Sequence, residues 1–380
     1  MKRAITVIAA AASLAPAAAA AQTHDHVVAS RVVLVRQQTE AERRAQERAR
    51  QNEERARQQK ERERARADQY RRDYREEQTE KVSRTFKIGS SGELDLANLA
   101  GDIVVTRGGG NSVQIEAVKI ARARTVEEAR EMLALVTIEF SERASRAEVK
   151  TEYGRREERQ RGSRNINVSV DYTVVAPENT RISVNTLSGS IRVSDIKGDL
   201  NLSSLSGNVV IENAARVASA KSTSGNVEIT NVRSQIGLEA SSTSGNLMIR
   251  RSSAPRMELG TVSGNVDIAD VTSGRVEAQT ISGSVDFASP LEKDGRYELN
   301  SHSGVVRFTV TGNTGFELEA SSFSGHIQTN LTLKDQRQAS GNFNRRGPEG
   351  RVRSLQGTYG DGSAVVEITT FSGTVIVGKK

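Results

Sequence analysis

The chain has 380 residues, a formal net charge of +7, no cysteine and no tryptophan, with 36% hydrophobic and 4% aromatic residues. The lack of cysteine excludes a disulfide framework, thiol catalysis and Cys-rich zinc sites, and four histidines leave little for a His-based metal centre. So few large apolar side chains argue against one big spherical core, because burial scales with apolar area removed from water.

Residues 1–21 read as a secretory signal peptide. Lys2 and Arg3 supply the positive start, Ala4 to Leu14 the apolar stretch, and Ala19-Ala20-Ala21 a small-residue cleavage site. An uncleaved anchor is the weaker reading, since the stretch is Ala-rich, broken by Pro16 and shorter than the ~20 apolar residues of a span. After cleavage the protein is expected in the periplasm or on the surface of a bacterium, and not as an integral membrane protein. Residues 22–35 form a short tail. Cleavage after Ala21 places His24 third, where an amine, two amides and an imidazole can hold copper or nickel; incidental His24 and His26 in a tail are the simpler reading.

Residues 36–81 hold 15 Lys/Arg and 12 Asp/Glu, with no Leu, Ile or Val. Such a segment cannot bury a core. It is either disordered or a solvated helix, supported by pairs such as Glu40–Arg44 and Glu53–Arg57. Its small net charge of +3 (15 minus 12) makes it a poor nucleic-acid binder. A spacer is expected.

Residues 82–380 are organised by an internal repeat. Ser-Gly recurs at Gly189, Gly207, Gly225, Gly245, Gly264, Gly283, Gly304 and Gly325, at intervals of 18 to 21 residues, and again at Gly373. After each of the first seven comes an apolar–x–apolar pair, such as Val209/Ile211 or Val266/Ile268. Seven and five residues before it lies another, such as Leu200/Leu202 or Met257/Leu259. Period-two alternation marks strands with one buried face. Two short strands and two turns per ~19 residues mark one coil of a solenoid, which must stack on its neighbours to bury its inner face. The predicted fold is therefore all-β: a parallel β-solenoid, β-helix-like, of about ten coils.

Equivalent positions form columns. Three residues before each Gly stands a hydroxyl, from Thr186 and Ser204 through Thr280 to Thr370, and Asn208, Asn226, Asn246 and Asn265 follow four successive glycines. Small hydroxyls and amides stacked ~4.8 Å apart can satisfy turn polar groups along the column. The glycines are read as corner pieces needing φ > 0, not as a phosphate cradle. Leu94 to Val105 matches the same register, so the solenoid begins near Phe86, pauses, and resumes near Ile182. The pause, residues 106–181, is predicted as an α+β insertion or cap. It holds a strand from Val113, a helix opened by the capping box Thr125-Val126-Glu127-Glu128, and strands at 137–140, 147–153 and 166–175. Residues 334–361, Gly- and Arg-rich, are predicted as a loop before a closing coil.

Together, the Leu94–Val105 coil, the helix-bearing insertion, the Tyr172–Pro177 strand and the repeated Thr/Ser-x-Ser-Gly-x-Val-x-Ile resemble the bacterial putative-adhesin family of β-strand-repeat domains of unknown function. The resemblance covers about residues 84–378. It implies a parallel β-solenoid on the bacterial envelope and transfers no catalytic residue.

Candidate sites lie in the outward columns. Glu239, Glu258, Glu277, Glu298 and Glu319, with Glu367, stand six residues before their glycines. A row of like charges needs an offset: basic neighbours, the charged arm, or a Ca²⁺ stripe held by oxygen ligands. No other cofactor is expected. A second column, two residues before Gly, includes Leu187, Leu205, Val262, Ile281, Phe323 and Phe371. Its parity points outward, so either the corner turns these side chains in or they form a docking strip. His302 and His326 are expected on successive coils, as surface histidines or a metal pair. The leading expectation is a non-enzymatic envelope scaffold or adhesin-like binding surface, with an envelope protein or glycan as partner and no nucleic acid. The rivals are a polysaccharide-active β-helix enzyme, which needs carboxylates in contrasting environments, and a self-assembling envelope protein.

Overall fold

The computed structural model describes residues 51–64, 69, 75–154, 167–342 and 351–380. The signal, the tail and the start of the spacer lie outside them. The chain divides into two compact units, residues 1–73 and Tyr74–Lys380. In the first, residues 51–64 are helical (α1), as a run of Glu, Arg and Gln favours.

The second unit is two long sheets facing each other across a thin core. It opens with strand β1 (Glu76–Phe86), antiparallel to β4 (Val113–Ala123). Residues 76–81 therefore belong to this sheet and not to the spacer expected up to residue 81. Cross-strand ion pairs explain the difference: Glu77 with Arg122 (2.8 Å), Glu80 with Lys119 (3.3 Å) and Lys81 with Glu116 (3.2 Å) hold an edge strand with little apolar surface. The first coil is β2 (Glu93–Ala100) and β3 (Ile103–Gly108). The insertion adds α2 (Val126–Ala134), β5 (Val136–Arg143), β6 (Arg146–Tyr153) and β7 (Val168–Pro177). Thr125 caps α2 by accepting from Glu128 N at 3.2 Å. Strands β6 and β7 stack in parallel outside β2 and β3, so the insertion extends the solenoid past its first coil. Burial pushes the Tyr172 hydroxyl up to about 12, and it shares a 2.6 Å hydrogen bond with Thr151 there.

The chain then returns to the first coil. β8 (Arg181–Ser188) pairs with β2, Ile182 beside Leu94, and β9 (Ile191–Ser194) with β3, Ile191 beside Ile103. From here strands alternate between the sheets, coil by coil, up to β20 (Arg296–Ser303) and β21 (Val306–Val310). Like lies beside like: Val209 beside Ile191 and Val227, Leu247 beside Val266. The inner positions are buried Val, Ile, Leu and Ala. Larger rings gather near the C-terminal end, where Phe287 stacks on Phe308 at 5.0 Å and Phe308 meets Phe316 edge-on at 5.6 Å.

The C-terminal end departs from sequence order. β22 (Phe316–Ser322) and β23 (His326–Thr329) form the outermost coil. Residues 334–361 are not the expected loop but largely an antiparallel hairpin, β24 (Lys334–Asn342) and β25 (Arg351–Tyr359), laid along β22. Leu355 and Tyr359 explain why, since one is buried and the other packs on the end of the core. The last coil, β26 (Ala364–Ser372) and β27 (Thr374–Lys379), does not close the stack. It enters between β20/β21 and β22/β23.

The two corners rest on different chemistry. At the Ser-Gly corner a Cβ on any of Gly189, Gly207, Gly225, Gly245, Gly264, Gly283, Gly304, Gly373 or Gly325 would overlap the carbonyl oxygen of the glycine one coil before it. Close backbone approach, rather than the expected φ > 0, is the common requirement; a positive φ occurs at Gly189, Gly283 and Gly304. The same carbonyls accept the buried hydroxyl column: Ser204 to Gly189 O (3.0 Å), Ser222 to Gly207 O (2.8 Å), Thr280 to Gly264 O (3.0 Å). Thr186 Oγ1 and Thr370 Oγ1, in this column, are buried without a partner among the described residues. Beside it, Asn208, Asn226, Asn246 and Asn265 each accept the next coil's backbone N–H at 2.8–2.9 Å. The second corner turns on left-handed residues, Asp195, Asn213, Asn231, Arg251 and Asp270. Asp and Asn tolerate this conformation, and the reversal sends Ile196, Val232 and Val271 inward. The Asx signal stands in the sequence six residues after Gly189, Gly207, Gly225 and Gly264, with Arg251 in that place after Gly245.

Candidate functional site

The outward face of the sheet containing β8, β20 and β26 carries parallel columns of side chains, because strand pairing sets like residues side by side. The carboxylate row is continuous: Glu239, Glu258, Glu277, Glu298, Glu367 and Glu319 are consecutive ladder partners in that order. Each has an offsetting neighbour. Lys221 lies 2.8 Å from Glu239, Arg256 lies 2.5 Å from Glu258 and 3.9 Å from Glu277, and Arg296 lies 3.3 Å from Glu367. Asn300 and Gln356 donate to Glu298 and Glu319 at 2.9 and 3.0 Å. Among the described residues no group of three or more His, Asp or Glu is arranged to hold a metal ion. These pairs are half-exposed, so each contributes little. Glu258→Gln combined with Glu277→Gln is expected to change stability by less than about 0.5 kcal/mol, and millimolar Ca²⁺ to leave the melting temperature unchanged. A rise in melting temperature on adding Ca²⁺, lost in the double variant, would establish a cation stripe.

Nearer the Ser-Gly corner runs the apolar column. The corner does not turn it in: Leu187, Leu205, Val262, Ile281, Phe323 and Phe371 are 40–54% exposed. Within the strip Phe371 lies sandwiched between His302 and Phe323, with ring centroids 4.7 Å apart on both sides and planes within 8°. His302 and His326 are thus not on successive coils, because the β26/β27 coil intervenes. Between the carboxylates and the strip lies a column of small or amide side chains, including Ser241, Gly260, Gln279 and Asn300. Together with Val262 and Ile281 these line a shallow groove of about 590 Å³. A similar groove, about 460 Å³, lies along Asn185, Leu187, Ser203 and Leu205 at the other end. The face can offer aliphatic edges and hydroxyl or amide hydrogen bonds repeated at strand spacing. Among the described residues no helix is long and apolar enough to cross a membrane.

Stacked two-strand coils with repeated corner glycines define a parallel β-solenoid repeat protein. The chain belongs to the Toastrack DUF4097 family, whose match spans residues 92–377. It is similar in structure to a putative adhesin from Bacteroides fragilis, at 13% identity and TM-score 0.33 over 79% of this chain and 97% of that one. A putative lipid binding protein from Parabacteroides distasonis matches at 9% identity and TM-score 0.35, over 79% and 96%. A putative cell adhesion protein from Clostridium sporogenes matches at 10% and 0.19, over 80% and 100%. No curated protein matches the chain.

Proposed function

We propose that this protein is a non-enzymatic envelope scaffold, secreted by its N-terminal signal, whose outward strip is a binding surface for an envelope polymer or protein. The observation carrying this reading is the exposed apolar column. Strand alternation and solvent both call for polar residues there, yet Leu187, Leu205, Val262 and Ile281 project outward beside shallow grooves. The column is apolar in two stretches parted by the exposed Thr223 and Thr243, and exposed apolar surface rimmed by polar residues is the usual mark of an interaction site. The carboxylates nearby form a row in which each is held by a cation or an amide, without the contrast of environment that separates an acid from a base.

The test is saturable binding of the purified protein to isolated bacterial envelope fractions and to defined polysaccharides. Val262→Ser with Ile281→Ser is expected to weaken binding about tenfold or more, a loss of about 1.4 kcal/mol, at unchanged melting temperature. Unchanged binding by the double variant would remove the strip from the function. Release of reducing ends or unsaturated sugars, abolished by Glu277→Gln, would favour the enzyme instead.

A further inference from the structure

The β26/β27 coil comes after β22/β23 in the chain but is held on both sides. On one, Tyr297 pairs with Val366 and Ser303 with Ser372; on the other, Leu318 pairs with Val366 and Ser322 with Thr370. In the facing sheet Val375 lies between Val306 and Ile327. Without this coil, β20/β21 and β22/β23 present two facing strand edges, and unpaired edges recruit strands. A short turn links β25 to β26. In it Gly360 and Gly362 are left-handed (φ 64° and 70°), and Asp361 accepts from Gly315 N at 2.9 Å and from the Ser363 hydroxyl at 3.0 Å.

We propose that this slot is an interaction site for the C-terminal coil of a second copy of the chain, so that two copies join by reciprocal exchange. All contacts that seat the coil recur unchanged in the exchanged pair: both ladders, the His302–Phe371–Phe323 stack and the Ser322 hydroxyl on Gly373 O (3.2 Å). Only the turn must open, and the exchange is two-fold and self-closing. A short tether gives the chain's own coil an effective concentration near millimolar, so the fraction of protein in the exchanged form grows in proportion to protein concentration below that level.

The chain has no cysteine, so introduced thiols report cleanly. Ser303 and Ser372 are exposed ladder partners, within the ~4.4–6.8 Å Cα range a disulfide spans. Full-length Ser303→Cys and Ser372→Cys proteins are mixed, unfolded in urea, refolded together and oxidised. A disulfide-linked heterodimer is expected, its fraction of the protein increasing about tenfold for a tenfold rise in concentration while it stays below the millimolar range. A Ser282→Cys copy, whose thiol lies one strand further away, should give none with Ser372→Cys. Absence of heterodimer above that control, while one chain carrying both Ser303→Cys and Ser372→Cys closes internally, would overturn the proposal. Failure of that double variant to close would contradict the register beneath it and overturn it as well.

Discussion

Gly245→Ala is expected to destabilise the protein by about 3 kcal/mol or more. The added methyl would overlap the carbonyl oxygen of Gly225, and no rotamer relieves a clash between a Cβ and backbone. The two coils must separate. The same carbonyl accepts the buried Ser242 hydroxyl at 2.9 Å, so separation also weakens that bond and leaves buried polar groups unpaired. Gly237→Ala provides the contrast, because the nearest atom to its added Cβ, Arg256 O, is 3.8 Å away; its effect should stay within about 0.5 kcal/mol. Urea unfolding of the two variants checks this. Equal midpoints would mean that the corner is not closely packed.

Phe308→Ala is expected to cost about 3–5 kcal/mol. The ring is fully buried, stacked on Phe287 and edge-on to Phe316. The cavity cannot collapse easily, since both sheets on either side are pinned by their ladders. In a solenoid stability is nearly a sum over neighbouring coils, so the loss should be local. Backbone amides of Ala364–Lys379 should exchange much faster with solvent, and those of Leu200–Ile211 at their former rate. Ile281→Ser, on the exposed strip, should leave both unchanged. Uniform acceleration across all coils would show a single cooperative unit instead.

The repeat was legible because stacking rewards identical residues at identical positions. Leu200, Val209 and the corner glycines could be placed without coordinates, and so could the early coil at Leu94–Val105. The carboxylate row was legible for the same reason. Its neutralisation was not, because Lys221 and Arg256 reach it from positions outside the glutamate column. The asparagines and aspartates of the second corner carried their signal openly, in Asp195, Asn213, Asn231 and Asp270. The hairpin at 334–361 was masked by Gly- and Arg-rich composition; Leu355 and Tyr359 are few, and only packing on the end coil gives them weight.

By itself the sequence determined the coil: its two strands, its glycine corner, and which side chains face in or out, since these follow from period-two alternation and repeat spacing. Only the tertiary structure decided the order of the coils at the C-terminal end. Every slot offers nearly the same edge to every coil, so the pattern cannot distinguish them. The hairpin caps β22, and Ala364–Lys379 therefore enter between the β20/β21 and β22/β23 coils rather than closing the stack.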